Sequence, residues 1–331
     1  MRMDRLQPHH IISFYNNMAE IGVREDGRQH CRVDLKVLLR SRSLTQTKFA
    51  EQAGISIATL YSINKGNNVS NESAERIARA LEMPLTDLFE PTNKDRKLAG
   101  NTVLHYHKLL SSILTAAVRW QVIPSNPCER VAPPKVERKE AVYLDEEQAA
   151  DLLAALDKES MQHQVIVKLL LFTGMRRGEL CGLEWKDIDF ERAVIFVRRS
   201  SLYMAGRGVF EDETKNTSSE RCMKVSADVV SMLRAWRAEQ SKQRLRMGDQ
   251  WQDSDRLFTT WNGAPIRPDG ITAWFHKFVT KNGLPPIHIH SLRHTNATLL
   301  IAAGTSLTTV AARLGHANST TTSKIYAHAI K

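Results

Sequence analysis

Six side chains in the second half of the sequence have types and spacings that could carry out chemistry on a phosphate group. They occur in the motifs TGMRRGEL at 173–180, ETKNTS at 213–218, HSLRHT at 290–295 and LGH at 314–316, and a tyrosine follows ten residues later. The six candidates are Arg176, Lys215, His290, Arg293, His316 and Tyr326.

These residue types together indicate phosphoryl transfer. Arginine presents a planar fork of donors that suits phosphate oxygens, and histidine can hold or transfer a proton near neutral pH. Lysine can protonate a leaving oxygen, and tyrosine can act as a covalent nucleophile. The set therefore indicates a reaction in which protein cations, with no metal ion or other cofactor, stabilise the charge that develops on phosphate.

The motifs need helices and strands to position them. The apolar stretch Val165–Phe172 predicts a helix that leads into the first motif, and the motif itself opens another helix. Residues 193–225 predict three short strands, which begin with Ala193–Arg199 and end with a hairpin whose far arm is Arg221–Val225. Lys215 would lie near the hairpin tip, and Lys224 is the alternative lysine.

Residues 143–331 resemble the catalytic domain of the tyrosine recombinases, also called the phage integrase family. The resemblance depends on the four motifs occurring in this order, and the chain is similar to integrases of conjugative transposons. It implies that Tyr326 attacks the scissile phosphate and forms a 3′-phosphotyrosine. Lys215 would then act as general acid to the 5′ oxygen, and His290 would assist proton transfer.

The same resemblance assigns the remaining side chains of the site. Arg176, Arg293 and His316 would bind the phosphate. Glu179 would hold the two arginines in position without contacting the phosphate itself. His294 is expected to be structural rather than catalytic.

An earlier segment has the spacing of a helix-turn-helix. Asp34, Thr45 and Ser56 can each cap a short helix, and Gly54 provides the turn between the second and third of these helices. The predicted helices after the first are Gln46–Ala53, Ile57–Lys65 and Asn71–Leu81. Residues 33–91 resemble the phage-repressor-like helix-turn-helix family.

This resemblance predicts where the segment would contact DNA bases. Ser56, Ala58, Thr59 and Ser62 would lie on the exposed side of the recognition helix. However, residues 33–92 contain seven basic and seven acidic side chains, whereas a phosphate-binding surface normally has excess positive charge. A structural or partner-binding role for the segment therefore stays open.

Half of the net charge of +10 lies in residues 93–142, which contain nine basic and four acidic side chains. Lys135, Arg138 and Lys139 follow a Pro-Pro pair and predict a basic, extended connector that contacts DNA. A long amphipathic helix is predicted over Asn101–Trp120, with Tyr106 and Trp120 in the core.

The predicted fold class is mainly α with a small antiparallel β-sheet in the catalytic domain. The expected organisation is a core-binding helical domain, interrupted by the helix-turn-helix module, followed by a linker and the catalytic domain. The corresponding ranges are 1–32 and 93–132 for the core-binding domain, 33–92 for the module, 133–142 for the linker and 143–331 for the catalytic domain.

Composition limits the setting in which the protein works. No apolar run is long enough to cross a bilayer, and the N-terminus lacks a signal-peptide core. The four cysteines include no CxxC pair, which favours reduced thiols and no zinc site. We therefore expect a cytoplasmic protein, bacterial or phage-encoded, that acts on nucleoid DNA and has no membrane partner.

The most favoured function is site-specific recombination that integrates or excises a mobile element. The expected partners are double-stranded DNA recombination sites and further copies of the chain, as a tetramer on DNA with or without accessory factors. Two alternatives stay open: a DNA-binding transcriptional regulator with a decayed recombinase domain, and strand relaxation like that of type IB topoisomerases.

The termini also differ from the family pattern. We expect no separate arm-binding domain before residue 1, and only residues 327–331 follow Tyr326, where relatives often have a further helix. Either a naturally short protein or a truncated copy would explain this.

Overall fold

The computed structural model describes residues 2–18, 20, 28–92, 97–136, 141–213, 220–315 and 326. The chain divides into two compact units, Met1–Arg138 and Lys139–Lys331. Both consist mainly of helices with short antiparallel strands, which confirms the predicted fold class. No helix in the described ranges is long and apolar enough to span a membrane, and all four cysteines are free.

The first unit contains seven helices and three strands within its described ranges. The helices are α1 (Pro8–Met18), α2 (Leu35–Ser41), α3 (Gln46–Ala53), α4 (Ile57–Asn64), α5 (Asn71–Ala80), α6 (Leu85–Leu88) and α7 (Gly100–Arg119). The strands are β1 (Arg28–Cys31), β2 (Val69–Ser70) and β3 (Phe89–Pro91).

Helices α2 to α6 form the predicted helix-turn-helix module around their own core. The Asp34, Thr45 and Ser56 side chains cap α2, α3 and α4 by accepting backbone N–H bonds, as the sequence predicts. Gly54 ends α3 with a φ of 65°, a left-handed conformation that glycine adopts without strain. The apolar faces of these helices meet in one buried cluster that includes Phe49 and Leu60.

A small antiparallel sheet closes the module, and its first strand lies earlier in the sequence than the module was expected to begin. Strand β1 pairs with both β2 and β3 in the order β2-β1-β3. Residues 28–31 therefore pair with the module, although the predicted boundary placed them with the preceding helix. The backbone pairing explains the difference, since four mixed-polarity residues give no clear strand pattern.

The segments on either side of the module pack against each other. Ile11, Tyr15 and Met18 of α1 share a core with Val103 and Leu114 of α7. The expectation that Tyr106 and Trp120 lie in this core is wrong, because 45% of Tyr106 and 74% of Trp120 is exposed. Val103, Leu114 and Ala117 are the side chains of α7 that fill the core instead.

The second unit contains seven helices and five strands within its described ranges. The helices are α8 (Glu146–Leu156), α9 (Met161–Thr173), α10 (Arg177–Gly182), α11 (Ala227–Met247), α12 (Pro268–Lys281), α13 (Ser291–Ala302) and α14 (Leu307–Leu314). The strands are β4 (Ile188–Asp189), β5 (Val194–Val197), β6 (Arg199–Met204), β7 (Gly208–Glu213) and β8 (Arg221–Lys224).

The strands pair differently from the prediction. Strands β6 and β7 form a two-stranded hairpin, while β8 pairs with β5 in a separate sheet of order β4-β5-β8. Arg221–Lys224 is therefore not the far arm of a hairpin with its neighbour in sequence. Pairing with β5 places Met223 opposite Ile195, and both side chains are buried in the core of the unit.

The strongly apolar helix α9 is the centre of this core. Seven of its side chains are buried, and α11 and α13 pack against it. Helix α10 lies close to β6, since a Cβ atom at Gly178 would overlap the Ser200 side chain. The core thus fixes the ends of α9, α10 and α13, beside which candidate residues lie, and α14 packs against α13 in a smaller cluster.

Candidate active site

Arg176 and Glu179 are held together at the start of α10. The Arg176 backbone N–H donates to Glu179 Oε2 at 2.8 Å, and Arg176 Nη1 donates to Glu179 Oε1 at 2.8 Å. Glu179 is buried, whereas 42% of the Arg176 side chain is exposed. The carboxylate therefore fixes one side of the guanidinium group and leaves the other side accessible.

Arg293 reaches the same region from α13. Its side chain is buried, and it donates from Nη1 to the Gly174 carbonyl at 2.8 Å and from Nη2 to the Leu314 carbonyl at 2.7 Å. Burial, together with the nearby charges of Arg176 and Arg221, lowers the pKa of Arg293 to about 10. The guanidinium group is thus still protonated at neutral pH.

A third arginine, Arg221 on β8, completes the cluster. Its Nη1 and Nη2 atoms donate to the two oxygens of Glu179 at 3.1 and 2.7 Å, and its Nε donates to the Arg313 carbonyl at 2.8 Å. Burial by itself would raise the pKa of Glu179, but hydrogen bonds and charges from Arg221 and Arg176 lower it below its usual value.

The three arginines bind three successive carbonyl groups at the C-terminal end of α14. Arg221 binds the carbonyl of Arg313, Arg293 that of Leu314, and Arg176 that of Gly315 at 3.4 Å. The last carbonyls of a helix lack partners within the helix and carry partial negative charge, so cations stabilise them. His316 follows this turn directly in the sequence.

The net positive charge of this arginine cluster favours the binding of an anion. The side chains described above comprise three guanidinium groups and one carboxylate, that of Glu179, which binds Arg176 and Arg221, so their net charge is positive. Bidentate, preorganised guanidinium donors are well suited to phosphate oxygens. The described residues contain no group of three or more His, Cys, Asp or Glu side chains placed to hold a metal ion.

His290 lies immediately before α13, one turn from Arg293. Its ring is 5.0 Å from that of His294, at 89° to it. Desolvation and the charges of Arg293 and Arg176 lower the pKa of His290 below its ordinary value. The imidazole is therefore neutral at pH 7 and able to accept a proton.

Tyr326 is buried and contacts α13. Its hydroxyl lies 2.9 Å from His294 Nδ1, and its ring packs with Ala297, Val310 and Leu314. Burial raises the pKa of Tyr326 to about 12. The hydroxyl is thus protonated at neutral pH and must lose its proton if its oxygen acts as a nucleophile.

The structure brings Arg176, Glu179, Arg293 and His290 together, and Tyr326 contacts the same helix as Arg293. Lys215 and His316 lie outside the described residues. The alternative lysine, Lys224, is exposed, and its carbonyl accepts a 3.4 Å bond from Arg313.

Two residues of this site were not predicted from the sequence. His294 was expected to be structural, yet it contacts the Tyr326 hydroxyl. Its position four residues after His290 on one helix face could have indicated this. Arg221 belongs to no motif, and only the tertiary structure shows that it contacts Glu179.

The predicted DNA-binding residues form two groups, Ser56–Ser62 at α4 and Lys135–Lys139 in the connector, and their roles stay predictions. Ser56 and Ala58 are exposed, while Thr59 and Ser62 are half-buried; the Thr59 hydroxyl lies 2.9 Å from that of Ser56. Lys135 is exposed, and Arg138 and Lys139 lie outside the described residues.

Comparison with known proteins agrees with both resemblances. Residues 142–331 match the phage integrase family, and residues 34–94 match the Cro/C1-type helix-turn-helix DNA-binding domain. Because the first match covers more than half of the chain, the protein belongs to the phage integrase family, the tyrosine recombinases.

Individual relatives are moderately similar. ICEBs1 integrase of Bacillus subtilis strain 168 is 27% identical over 232 residues, which cover 70% of this chain and 62% of the relative. The XerC-like tyrosine recombinase of Caldanaerobacter subterraneus subsp. tengcongensis is 29% identical over 252 residues, covering 70% of this chain and 63% of the relative. The match therefore spans less than two thirds of the length of these relatives.

A solved structure has the same fold. The Tn1549 transposon integrase, in complex with transposon right end DNA, aligns with a TM-score of 0.61 and 23% sequence identity. The alignment covers 88% of this chain and 93% of that one.

Proposed function

We propose that this protein is a site-specific DNA recombinase that integrates or excises a mobile element through a covalent 3′-phosphotyrosine intermediate. The observation that carries the proposal is the cluster of Arg176, Arg293 and Glu179 beside His290, with Tyr326 in contact with α13, the helix that holds Arg293. The relatives named above are integrases and recombinases, and the Tn1549 integrase was solved on transposon DNA, which supports DNA as the substrate.

In the proposed cleavage step, the Tyr326 oxygen attacks the scissile phosphorus while the bond from phosphorus to the 5′ oxygen breaks. Arg176 and Arg293 stabilise the charge on the non-bridging oxygens, together with His316. His290 is the proposed acceptor of the Tyr326 proton, and Lys215 donates a proton to the leaving 5′ oxygen. Rejoining reverses these transfers.

Lys215 is proposed for the leaving group because of its place in the ETKNTS motif. A 5′-phosphorothiolate substrate separates it from Lys224, since sulfur leaves without protonation. The substrate should restore cleavage to Lys215→Ala, and restoration of Lys224→Ala alone would assign the role to Lys224.

The proposed partners are double-stranded recombination sites and three further copies of the chain. Exchange between two duplexes breaks four strands, and each break uses one Tyr326, so a tetramer on DNA supplies the required nucleophiles. Such a protein would work in the bacterial cytoplasm on nucleoid DNA, with or without accessory factors.

The first unit is proposed to hold the DNA and to add sequence preference. One face of α7 exposes Lys108, Ser112, Thr115 and Arg119, which suits the phosphate backbone. The module would contribute base contacts from Ser56, Ala58, Thr59 and Ser62, and the connector would contribute Lys135, Arg138 and Lys139.

The test is to trap the covalent protein–DNA adduct on nicked duplexes. A set of overlapping duplexes covers the DNA that flanks the gene. The parent should form an adduct that survives denaturing electrophoresis, also in EDTA, and Tyr326→Phe should form none while binding the same DNA. An adduct that persists in Tyr326→Phe, or cleavage that stops in EDTA, would contradict the mechanism. Relaxation of a plasmid without exchange between paired sites would instead favour the topoisomerase-like activity.

A further inference from the structure

Arg221 is a buried arginine whose three donor groups connect two parts of the candidate site. It is the first residue of β8, and 7% of its side chain is exposed. The fork of Nη1 and Nη2 binds both oxygens of Glu179, while Nε binds the Arg313 carbonyl at the end of α14. One guanidinium group thus joins the start of α10 to the end of α14.

The carboxylate that Arg221 holds is the same one that orients Arg176. Glu179 Oε1 accepts from both Arg221 Nη1 and Arg176 Nη1, and Oε2 accepts from Arg221 Nη2 and the Arg176 backbone N–H. A carboxylate with two oxygens bound from one side has little freedom to rotate. Its position fixes which Arg176 donors point towards the accessible side.

The turn after α14 is shaped to admit this guanidinium group. Gly315 has a φ of 67°, and a Cβ atom there would lie 2.9 Å from Arg221 Nη1. A side chain at this position would therefore both strain the backbone and displace Arg221. The residue that follows the turn, His316, is a proposed phosphate ligand.

We propose that Arg221 is a positioning residue that sets the orientation of Arg176, through Glu179, and of the turn that leads to His316. The proposal rests on the proposed recombinase function. Arg221 acts on the rate of strand cleavage without being required for DNA binding.

Lysine is the informative replacement. It keeps the positive charge but has no planar fork, so it cannot bind both Glu179 oxygens and the Arg313 carbonyl at once. Arg176 then loses a fixed carboxylate partner, and small misplacements of a reacting constellation reduce rates by up to about 10²-fold.

Arg256→Lys is the matched control. The Arg256 side chain is 6% exposed and binds the Gly182 carbonyl and the Glu211 carboxylate in the same unit, but it contacts neither Glu179 nor the α14 carbonyls. Both variants replace a buried, hydrogen-bonded arginine by lysine. General damage to the unit should therefore affect them equally.

The experiment measures single-turnover adduct formation at saturating protein on the trapped nicked duplex, together with the Kd for that duplex. Arg221→Lys should cleave about 10- to 100-fold more slowly than the parent with a Kd within about twofold, while Arg256→Lys cleaves at the parent rate. Equal rates in Arg221→Lys and Arg256→Lys would overturn the proposal. If Arg221→Lys does not fold, Arg221→Gln is measured in the same way and must meet the same criterion.

A double-variant cycle tests the route through Glu179. If Arg221 acts through this carboxylate, the two substitutions are not independent. The rate of adduct formation in the double variant Arg221→Lys, Glu179→Gln should then fall by less than the product of the fold-reductions in the two single variants. Fully multiplicative losses would overturn that route. Failure of the parent and of Arg256→Lys to form a Tyr326-dependent adduct would contradict the proposed function itself, which is a different result from slow cleavage by Arg221→Lys alone.

Discussion

Arg176 and Arg293 both contact the end of α14, but they differ in burial and therefore in what their removal should do. Arg293 is buried and donates to two backbone carbonyls, whereas 42% of the Arg176 side chain is exposed. The two arginines therefore share a proposed catalytic task, but Arg293 also has a structural one.

Replacing either arginine by alanine should lower the rate of adduct formation by about 10² or more, because a preorganised donor to the developing charge is lost. Arg293→Ala should in addition lower the free energy of unfolding by about 3 kcal/mol, since two charged hydrogen bonds disappear and buried carbonyls lose their donors. Urea unfolding and single-turnover cleavage measure the two effects. An Arg176→Ala variant that cleaves at the parent rate would remove Arg176 from the proposed mechanism.

His290 should make both the stability of the fold and the rate of cleavage depend on pH. Its pKa in the folded protein is lowered, so the unfolded chain binds more protons as the pH falls below about 6.5. The contribution of His290 should therefore lower the free energy of unfolding as the pH falls from about 6.5 through the pKa of the folded protein. Cleavage should slow over the same pH range, because the proposed proton acceptor becomes protonated.

The measurement is an NMR titration of the His290 ring, assigned by comparison with His290→Gln. The midpoint should lie below 6.5 in the parent and rise in Arg176→Ala, because one of the positive charges that lowers it is removed. A parent midpoint above 6.5 would show that desolvation and the arginine charges do not control this group.

At the scale of single elements, the sequence predicted the helices of the module well because their boundaries are encoded locally. Asp34, Thr45 and Ser56 each cap a helix, and α3 has the predicted bounds. Local capping and an αL glycine need no information from distant residues.

Long-range pairing could not be predicted in the same way. The pairing of β8 with β5, and of β1 with β2 and β3, depends on which residues the folded chain brings together. Arg176, Glu179, His290 and Arg293 lie in short local motifs, so the family resemblance could single them out, and their roles stay predictions. The Arg221 contact with Glu179 joins residues 42 positions apart, and no local pattern indicates it.

The module offers a prediction about sequence reading by α4. Replacing Thr59 and Ser62 by alanine should narrow the difference in binding free energy between specific and random DNA by about 1–3 kcal/mol, the usual size of one lost base contact. The dependence of binding on salt should stay unchanged, because no charge is removed. Binding titrations at several salt concentrations measure both quantities.

Ser41→Ala provides the control for this experiment. Ser41 is an exposed serine at the end of α2, outside the predicted recognition helix, and its removal should leave the specificity difference unchanged. If the Thr59 and Ser62 double variant binds and footprints like Ser41→Ala, the module does not read bases, and the structural or partner-binding role is favoured.

At the scale of the whole molecule, the distribution of charge predicts that DNA affinity and sequence specificity come from different segments. The module has no net charge, whereas residues 93–142 supply half of the net +10. Phosphate contacts contribute most of non-specific affinity and determine its salt dependence, while base contacts contribute specificity. We therefore expect the two properties to be separable by substitutions in different segments.

Replacing Lys135, Arg138 and Lys139 by alanine should weaken binding to all DNA sequences and leave the preference between them nearly unchanged. The slope of log K against log salt should become shallower by up to about three, close to one for each lost phosphate contact. The control exchanges the same residues while keeping their charge, as Lys135→Arg, Arg138→Lys and Lys139→Arg, and should keep the parent slope. If the alanine variant also keeps the parent slope, these side chains do not contact phosphates, and the affinity must come from other basic residues of the chain, such as Lys108 and Arg119 on α7.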